Sequence, residues 1–197
     1  FEIVDKKKIG SKIDEIIPKK FKVFKDYLIK QIESIIGKKL LNISKIESNM
    51  MKEFRFKDKE KDVLNKYYIK RLNNRKVKVV PGVYLIYRKK ETGKELVYVG
   101  ETDNLIRRLM GDIGNARLSN GKPFNTFINK TIIKDKSYKN ITSEELRKYI
   151  ENEFLFSYLE TKSKELAFLI EGILIRYFGN QLVYNKIKNY QKKWTRN

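Results

Sequence analysis

The sequence predicts an α+β fold in which a small three-stranded antiparallel sheet is flanked by helices. Residues 83–88 alternate between apolar and polar side chains, residues 91–94 read as a turn, and residues 95–99 return as a second strand. Residues 154–160 (FLFSYLE) are aromatic and alternating, which indicates a third strand. The resulting order, β-β-α, an insertion and α-β-α, favours a small sheet covered by helices.

Capping signals define the helices on either side of the third strand. Thr142 with Glu145 makes a capping box for the helix that precedes the strand. Ser163 is suited to cap a long helix over 164–178, and Gly179 is suited to end it. We therefore expect both ends of the long helix to be sharply defined.

The first 80 residues are predicted to be helical. Apolar side chains recur there at three- and four-residue steps, and Gly37 follows as the expected end of that helix. Two more helices are expected over 43–54 and 58–72. In the helix that Gly37 is expected to end, the apolar positions are Phe21, Phe24, Leu28, Ile32 and Ile35.

The change of pattern near residue 76 predicts two parts. Residues 1–76 form a helical basic extension that would bind DNA or mediate dimerisation. Residues 77–197 form a second domain, with an insertion at about 111–152 that includes a short helix near 124–130. The insertion is rich in Gly, Ser and Asn, which is typical of irregular structure.

Net charge is the main clue to a partner. The 197 residues carry 45 Lys and Arg against 24 Asp and Glu, a formal net charge of +21. A charge of that size predicts a polyanionic partner such as nucleic acid. The alternative is a compositional bias of a sequence rich in Lys, Ile and Asn, without any binding role.

The chain contains neither cysteine nor histidine. This excludes thiolate nucleophiles, Cys/His zinc sites and a Ser-His triad, so catalysis would depend on carboxylates, Tyr, Lys, Arg or a hard metal. No apolar run reaches the ~18 residues of a membrane helix. With no disulfide framework and no signal-peptide pattern, we expect a cytoplasmic protein without a membrane partner.

Glu171 is the most unusual residue of the long helix, because it interrupts the apolar run LAFLIEGILI. A helical wheel places Glu165, Gly172 and Arg176 on a narrow solvated arc and Glu171 outside it. A carboxylate there is expected to be partly buried and to need a cation, which could be Arg, Lys or a metal. The alternative is a rim glutamate paired with a surface lysine.

Tyrosines and arginines near the predicted hairpin are a second group of candidates. Tyr84 and Tyr98 could lie on one face of adjacent strands, although tyrosine is also common in strands for packing alone. Asp103 is expected to cap the helix that carries Arg107 and Arg108. An arginine pair on a helix is most often solvated or a phosphate anchor, so a catalytic role needs a partner site.

Together these residues resemble the GIY-YIG nuclease family over about residues 81–186. Two tripeptides match its signatures, a run that includes an arginine ten residues after the second tyrosine follows, and a glutamate in an apolar helix precedes an asparagine by fourteen residues. The matching residues are Gly82-Val83-Tyr84, Tyr98-Val99-Gly100, Thr102, Asn104, Leu105, Arg108, Glu171 and Asn185.

The chain departs from the family pattern in two places. Thirteen residues lie between Tyr84 and Tyr98, a few more than is usual in the family, which fits a longer hairpin loop. Many members also carry a histidine one helical turn after the arginine, where this chain has Asp112. Some members use a lysine instead, which makes Lys94 a candidate. The alternative for Lys94 is a loop lysine that touches DNA or solvent.

The resemblance implies hydrolysis of phosphodiester bonds with one divalent metal. Glu171 would hold Mg²⁺, for which Mn²⁺ could substitute. Tyr84 would act as general base with its pKa lowered by nearby cations, and Tyr98 would position water or phosphate. Arg108 would stabilise transition-state charge, and Asn185 would orient the active-site end of the glutamate helix.

Among nucleases, a core enlarged by helices and loops is most similar to the type II restriction endonucleases. The substrate would be double-stranded DNA, and cutting both strands would require a homodimer, a higher homo-oligomer or two sequential events. The alternatives are a repair, recombination or mobile-element nuclease, and a non-catalytic nucleic-acid-binding protein on this fold. Candidate DNA contacts are Arg107, Arg117, Lys122, Asn125 and Asn129.

Overall fold

The computed structural model describes residues 5–18, 20–46, 48, 80–109, 118–119, 122–123, 142–179 and 182. Within these residues the chain is α+β, with a small three-stranded antiparallel sheet flanked by helices, which confirms the predicted class. The elements in chain order are α1 (Lys6–Asp14), α2 (Lys22–Gly37), β1 (Gly82–Lys90), β2 (Gly93–Thr102), β3 (Leu118–Ser119), β4 (Lys122–Pro123), α3 (Ser143–Glu153), β5 (Phe154–Glu160) and α4 (Lys164–Phe178). Residues 43–46 and 105–109 are also helical.

The main sheet has the order β2-β1-β5, so β1 is central and both of its neighbours run antiparallel to it. The hairpin and the third strand were both predicted, and β5 has the predicted bounds. Leu41 bridges Phe156 and extends the sheet beyond β5. On the other side, β2 is the edge strand of the sheet that the described residues form, and the Glu101 amide on β2 donates to the Glu171 side chain on α4.

A register shift in the hairpin was not predicted. Ile86 pairs with Tyr98 while Tyr87 pairs with Leu96, so β2 contains one extra residue at Val97. This bulge reverses the alternation of β2, because Leu96 and Val99 now contribute to the same core cluster. Tyr98 is thereby directed to the opposite face, which it shares with Tyr84.

One hydrophobic core joins the N-terminal helices to the sheet. Side chains of α1 and α2 lie in the same buried cluster as side chains of β1, β2, β5 and α4. The predicted division near residue 76 lies outside the described residues and stays a prediction. What the structure adds is that α2 and α4 pack against the sheet, while α1 packs on these two helices. Members of the shared core include Ile9, Ile13, Leu28, Ile32, Val83, Leu85, Val99 and Ile170.

The predicted capping signals are confirmed. The Thr142 hydroxyl accepts the Glu145 amide at 3.2 Å, while the Glu145 carboxylate accepts the Thr142 amide at 2.7 Å. Ser163 caps α4, and Gly179 follows its last residue with φ of 54°, a left-handed value that favours glycine. Local sequence therefore fixes both ends of α4.

Several predictions fall outside the described residues. They include the helix over 58–72, most of the helix over 43–54 and the short helix near 124–130. Within the described part of the chain, no helix is long and apolar enough to cross a membrane.

Candidate active site

Tyr84 and Tyr98 lie together over Gly100, as the sequence predicted for two tyrosines on one face. Tyr84 is the strand partner of Gly100, and Tyr98 is two residues before Gly100 on β2. The two ring centroids are 6.0 Å apart. A Cβ atom on Gly100 would lie 2.5 Å from Tyr84 Cζ and 2.7 Å from Tyr98 Cε1, so only glycine fits beneath the rings.

A compact turn connects this pair to Arg108. The buried Thr102 hydroxyl accepts the Asn104 amide at 3.1 Å, and the Leu105 amide donates to Val80 O at 2.8 Å. These contacts fix the start of the helical residues 105–109, one turn before Arg108. Arg108 follows within this segment, close enough to both tyrosines for its charge to act on them.

The cap of this helical segment differs from the prediction. Asn104 Oδ1 accepts the Arg107 amide at 3.2 Å, which makes Asn104 the capping residue. The Asp103 carboxylate instead pairs with the Arg107 guanidinium at 3.3 Å. The prediction of Asp103 was wrong because both residue types can cap a helix, and the Thr102–Asn104 hydrogen bonds decide which one does.

Glu171 is buried on α4, with 6% of its surface exposed. Its Oε1 accepts the backbone amide of Glu101 at 3.2 Å, so the carboxylate lies against the edge strand β2. The expected burial of Glu171 is confirmed, and Glu165 and Arg176 are exposed as predicted. Gly172 is buried, which corrects its predicted place on the solvated arc, because a wheel drawn for one helix omits the elements that pack on it.

The four groups act on one another electrostatically. Burial, the charge of Tyr98 and the charge of Glu171 raise the pKa of Tyr84 well above its ordinary value, while the Arg108 charge lowers it. Burial and the Glu171 charge likewise raise the pKa of Tyr98, which Arg108 again opposes. The two phenols share a hydrogen bond that raises the pKa of Tyr84 and lowers that of Tyr98, as expected if Tyr84 donates.

The expectation that nearby cations lower the pKa of Tyr84 is therefore wrong. Arg108 acts in the expected direction, but the cost of ionising a phenol with only 4% of its surface exposed is larger. Tyr98 is half-buried and thus less buried than Tyr84. In the protein's own field both phenols are neutral at pH 7.

Comparisons with protein-family models, curated proteins and solved structures find no match for this chain. The function must therefore be inferred from the site itself. The site combines a buried carboxylate, a guanidinium and a hydrogen-bonded pair of phenols, one of which is partly exposed.

Lys94 does not belong to this group. It pairs with Lys89 on the hairpin, five strand residues from the Tyr84–Gly100 pair, or roughly 17 Å at about 3.3 Å per residue. Its ammonium lies 5.7 Å from the centroid of the Tyr87 ring. Lys94 is therefore placed at the turn end of the hairpin and does not substitute for a histidine beside the tyrosines.

The remaining predicted residues are only partly described. Arg107 is on the surface in its ion pair with Asp103, where an exposed pair contributes little to stability. A DNA contact by Arg107 stays a prediction. Lys122 lies in the short strand β4, and only its backbone is described. Four further candidates lie outside the described residues, namely Arg117, Asn125, Asn129 and Asn185.

Glu101 was missed as a site residue. Besides donating its amide to Glu171, it contributes a charge that raises the pKa of Tyr98. Its Oε2 is buried, and no hydrogen-bond donor among the described residues reaches that atom. The available signal was an ionisable residue directly after the Tyr98-Val99-Gly100 signature, at the end of an edge strand.

The carboxylate oxygens of Glu101 and Glu171 are the type of ligand that suits a hard divalent cation. Such ions prefer carboxylate oxygen, and a buried carboxylate oxygen without a donor is the kind of atom that a cation would satisfy. No group of three or more Asp, Glu, His or Cys side chains suited to a metal occurs in the described ranges. Water and substrate oxygens would have to complete a coordination shell that begins from Glu171.

The raised pKa of Tyr84 predicts a pH dependence of stability. A phenol whose folded pKa exceeds its unfolded value of about 10 contributes stability that is complete below pH 10 and lost as pH rises toward the folded pKa. We expect the free energy of unfolding to fall above pH 10 more steeply in the wild type than in Tyr84→Phe, by up to about 1.4 kcal/mol per pH unit. Urea unfolding at a series of pH values measures this. Between pH 7 and 9, the free energy of unfolding should change with pH equally in the two proteins. If it also changes equally up to pH 11, the pKa of Tyr84 is not raised.

Proposed function

We propose that this chain is a metal-dependent endonuclease that hydrolyses phosphodiester bonds of double-stranded DNA on a fold of the GIY-YIG type. One observation carries the proposal: the buried Glu171 carboxylate shares an electrostatic site with Arg108 and the Tyr84–Tyr98 pair. A carboxylate held at 6% exposure beside two phenols weakens the ionisation of both. A catalytic role explains a charged side chain at this buried position better than packing does.

The substrate class follows from charge. A net charge of +21 favours a polyanion, and a phosphate bound beside the tyrosine pair would lie near the Arg108 charge. Arg108 would stabilise negative charge that develops on the phosphoryl oxygens in the transition state. The guanidinium is suited to this role because its planar set of N–H donors matches the oxygens of a phosphate.

The tyrosines are assigned to positioning. Tyr98, the more exposed phenol, would hold the attacking water or a phosphate oxygen, and Tyr84 would orient Tyr98 through their shared hydrogen bond. Gly100 allows both rings to approach the strand backbone. A bound divalent cation would supply stabilisation of the leaving oxygen, and Glu171 is the residue that would hold it.

Among nuclease types we propose a type II restriction endonuclease. The support is the size of the additions to the core, because helices α1 and α2 extend the fold on one face and residues of the predicted insertion lie between β2 and α3. Such additions are where a restriction enzyme would read its sequence. A repair, recombination or mobile-element nuclease is the second candidate, since the same site would serve it.

Incubation with supercoiled plasmid and Mg²⁺ tests the proposal. We expect cleavage that stops when the metal is chelated with EDTA, and discrete fragments on a plasmid of known sequence. Branch-specific nicking without discrete fragments would favour repair or recombination. A plasmid that stays intact over a range of salt and temperature, although the protein binds it tightly, would exclude the enzyme and favour a non-catalytic DNA-binding protein.

A further inference from the structure

One carboxylate oxygen of Glu101, Oε2, lies in the interior without a hydrogen-bond donor among the described residues. A buried acceptor that lacks a hydrogen bond is costly, and a charged one more so. This occurs in a chain that carries 45 Lys and Arg, none of which forms an ion pair with Glu101 among the described residues.

Glu101 is fixed beside Glu171 by its own backbone. Its amide donates to Glu171 Oε1 at 3.2 Å, so the two residues meet at the edge of the sheet. Glu101 is two residues beyond Val99, which packs in the core that includes α4 residues. Strand alternation therefore directs the Glu101 side chain toward the same face as Val99.

Two carboxylates at one place repel each other unless a cation or a proton intervenes. The backbone of Glu101 contacts the Glu171 carboxylate, and both side chains raise the pKa of Tyr98, so both carboxylates lie near that tyrosine. A divalent cation would satisfy the buried oxygen of Glu101 and remove the repulsion. Oxygen ligands from two carboxylates together with water are typical of Mg²⁺ sites.

We propose that Glu101 supplies its Oε2 as a second carboxylate ligand of the divalent cation held by Glu171. This inference rests on the proposed function, and it deepens that function by adding a residue to the metal site. It also explains why an ionisable side chain follows the second signature directly. The substrate would then bind to a cation whose charge is neutralised by two carboxylates.

Direct binding of Mn²⁺ to the full chain, without DNA, tests this inference. Free Mn²⁺ is measured by EPR during titration of the wild type, Glu101→Gln and Glu95→Gln. Glu101→Gln keeps the side-chain shape and the amide that contacts Glu171, and we expect it to weaken Mn²⁺ binding about 10- to 100-fold. Glu95→Gln is the same change on the same strand, at a surface ion pair with Lys90, and we expect a change within about twofold.

A second readout is the Mg²⁺ concentration that gives half-maximal plasmid cleavage. We expect that concentration to rise for Glu101→Gln by a similar factor, while the rate recovers at high Mg²⁺. If Glu101→Gln does not fold, as judged by circular dichroism, Glu101→Asp replaces it. Asp keeps the charge but withdraws the carboxylate, and weaker Mn²⁺ binding is again expected.

The outcomes separate this inference from the proposed function. If the wild type binds Mn²⁺ and cuts DNA, Glu171→Gln loses both and Glu101→Gln matches the wild type, then Glu101 is not a metal ligand and only the inference fails. If the wild type neither binds Mn²⁺ nor cuts DNA, the proposed function and the inference fail together.

Discussion

Replacement of Glu171 by glutamine is expected to reduce cleavage of double-stranded DNA by about 1,000-fold without loss of DNA binding. A metal ion contributes several kcal/mol of charge stabilisation in the transition state, and each 1.4 kcal/mol corresponds to a factor of ten in rate. Glutamine removes the negative charge that would hold the cation. It keeps an amide oxygen that can still accept the Glu101 amide, so the fold should be retained.

The matched control is Glu165→Gln on the same helix. Glu165 is exposed in the first turn of α4, where a negative charge interacts favourably with the helix dipole. We expect Glu165→Gln to lower stability only slightly and to leave cleavage unchanged. Plasmid cleavage gives the rates, and fluorescence anisotropy with a labelled duplex gives the binding. If Glu171→Gln cleaves DNA at the wild-type rate, this carboxylate takes no part in the reaction.

The parts of the fold that depend on short-range rules could be predicted from the sequence. The capping box at Thr142, the cap at Ser163 and the end of α4 at Gly179 each depend on residues within one helical turn. Strand β5 was predicted with its observed bounds because alternation and capping agree there. The grouping of Tyr84 with Tyr98 also followed from strand alternation, although the bulge at Val97 that allows it did not.

The features that could not be predicted depend on long-range packing. The pKa of Tyr84 is raised by burial, and burial depends on elements outside the hairpin. The hairpin sequence alone therefore could not predict it. The position of Lys94 at the far end of the hairpin depends on the pairing register. Glu101 was missed because its significance comes from Glu171, which is 70 residues away in sequence but in contact through the Glu101 amide.

Replacement of Gly100 by alanine is expected to disrupt the tyrosine pair. The new methyl carbon would lie 2.5 Å from Tyr84 Cζ and 2.6 Å from the Tyr84 hydroxyl oxygen, closer than side chains tolerate. Tyr84 is buried, so its ring cannot swing into solvent, and an overpacked site of this kind costs about 1–3 kcal/mol. Displacement of the phenols by about 1 Å is expected to slow cleavage by about 100-fold, as measured by single-turnover kinetics.

Gly172→Ala is the matched control, because the same substitution meets a different environment. Apart from its chain neighbours and the adjacent backbone of α4 itself, no atom of the described residues lies within 4 Å of a Cβ built at Gly172. Alanine is the better helix former by about 1 kcal/mol, so Gly172→Ala should raise the free energy of unfolding while Gly100→Ala lowers it. If the two substitutions change the free energy of unfolding in opposite directions, then the lack of space above Gly100, rather than backbone entropy, determines the effect of Gly100→Ala. If both variants are stabilised to the same degree, the two tyrosine rings do not lie against β2 at Gly100.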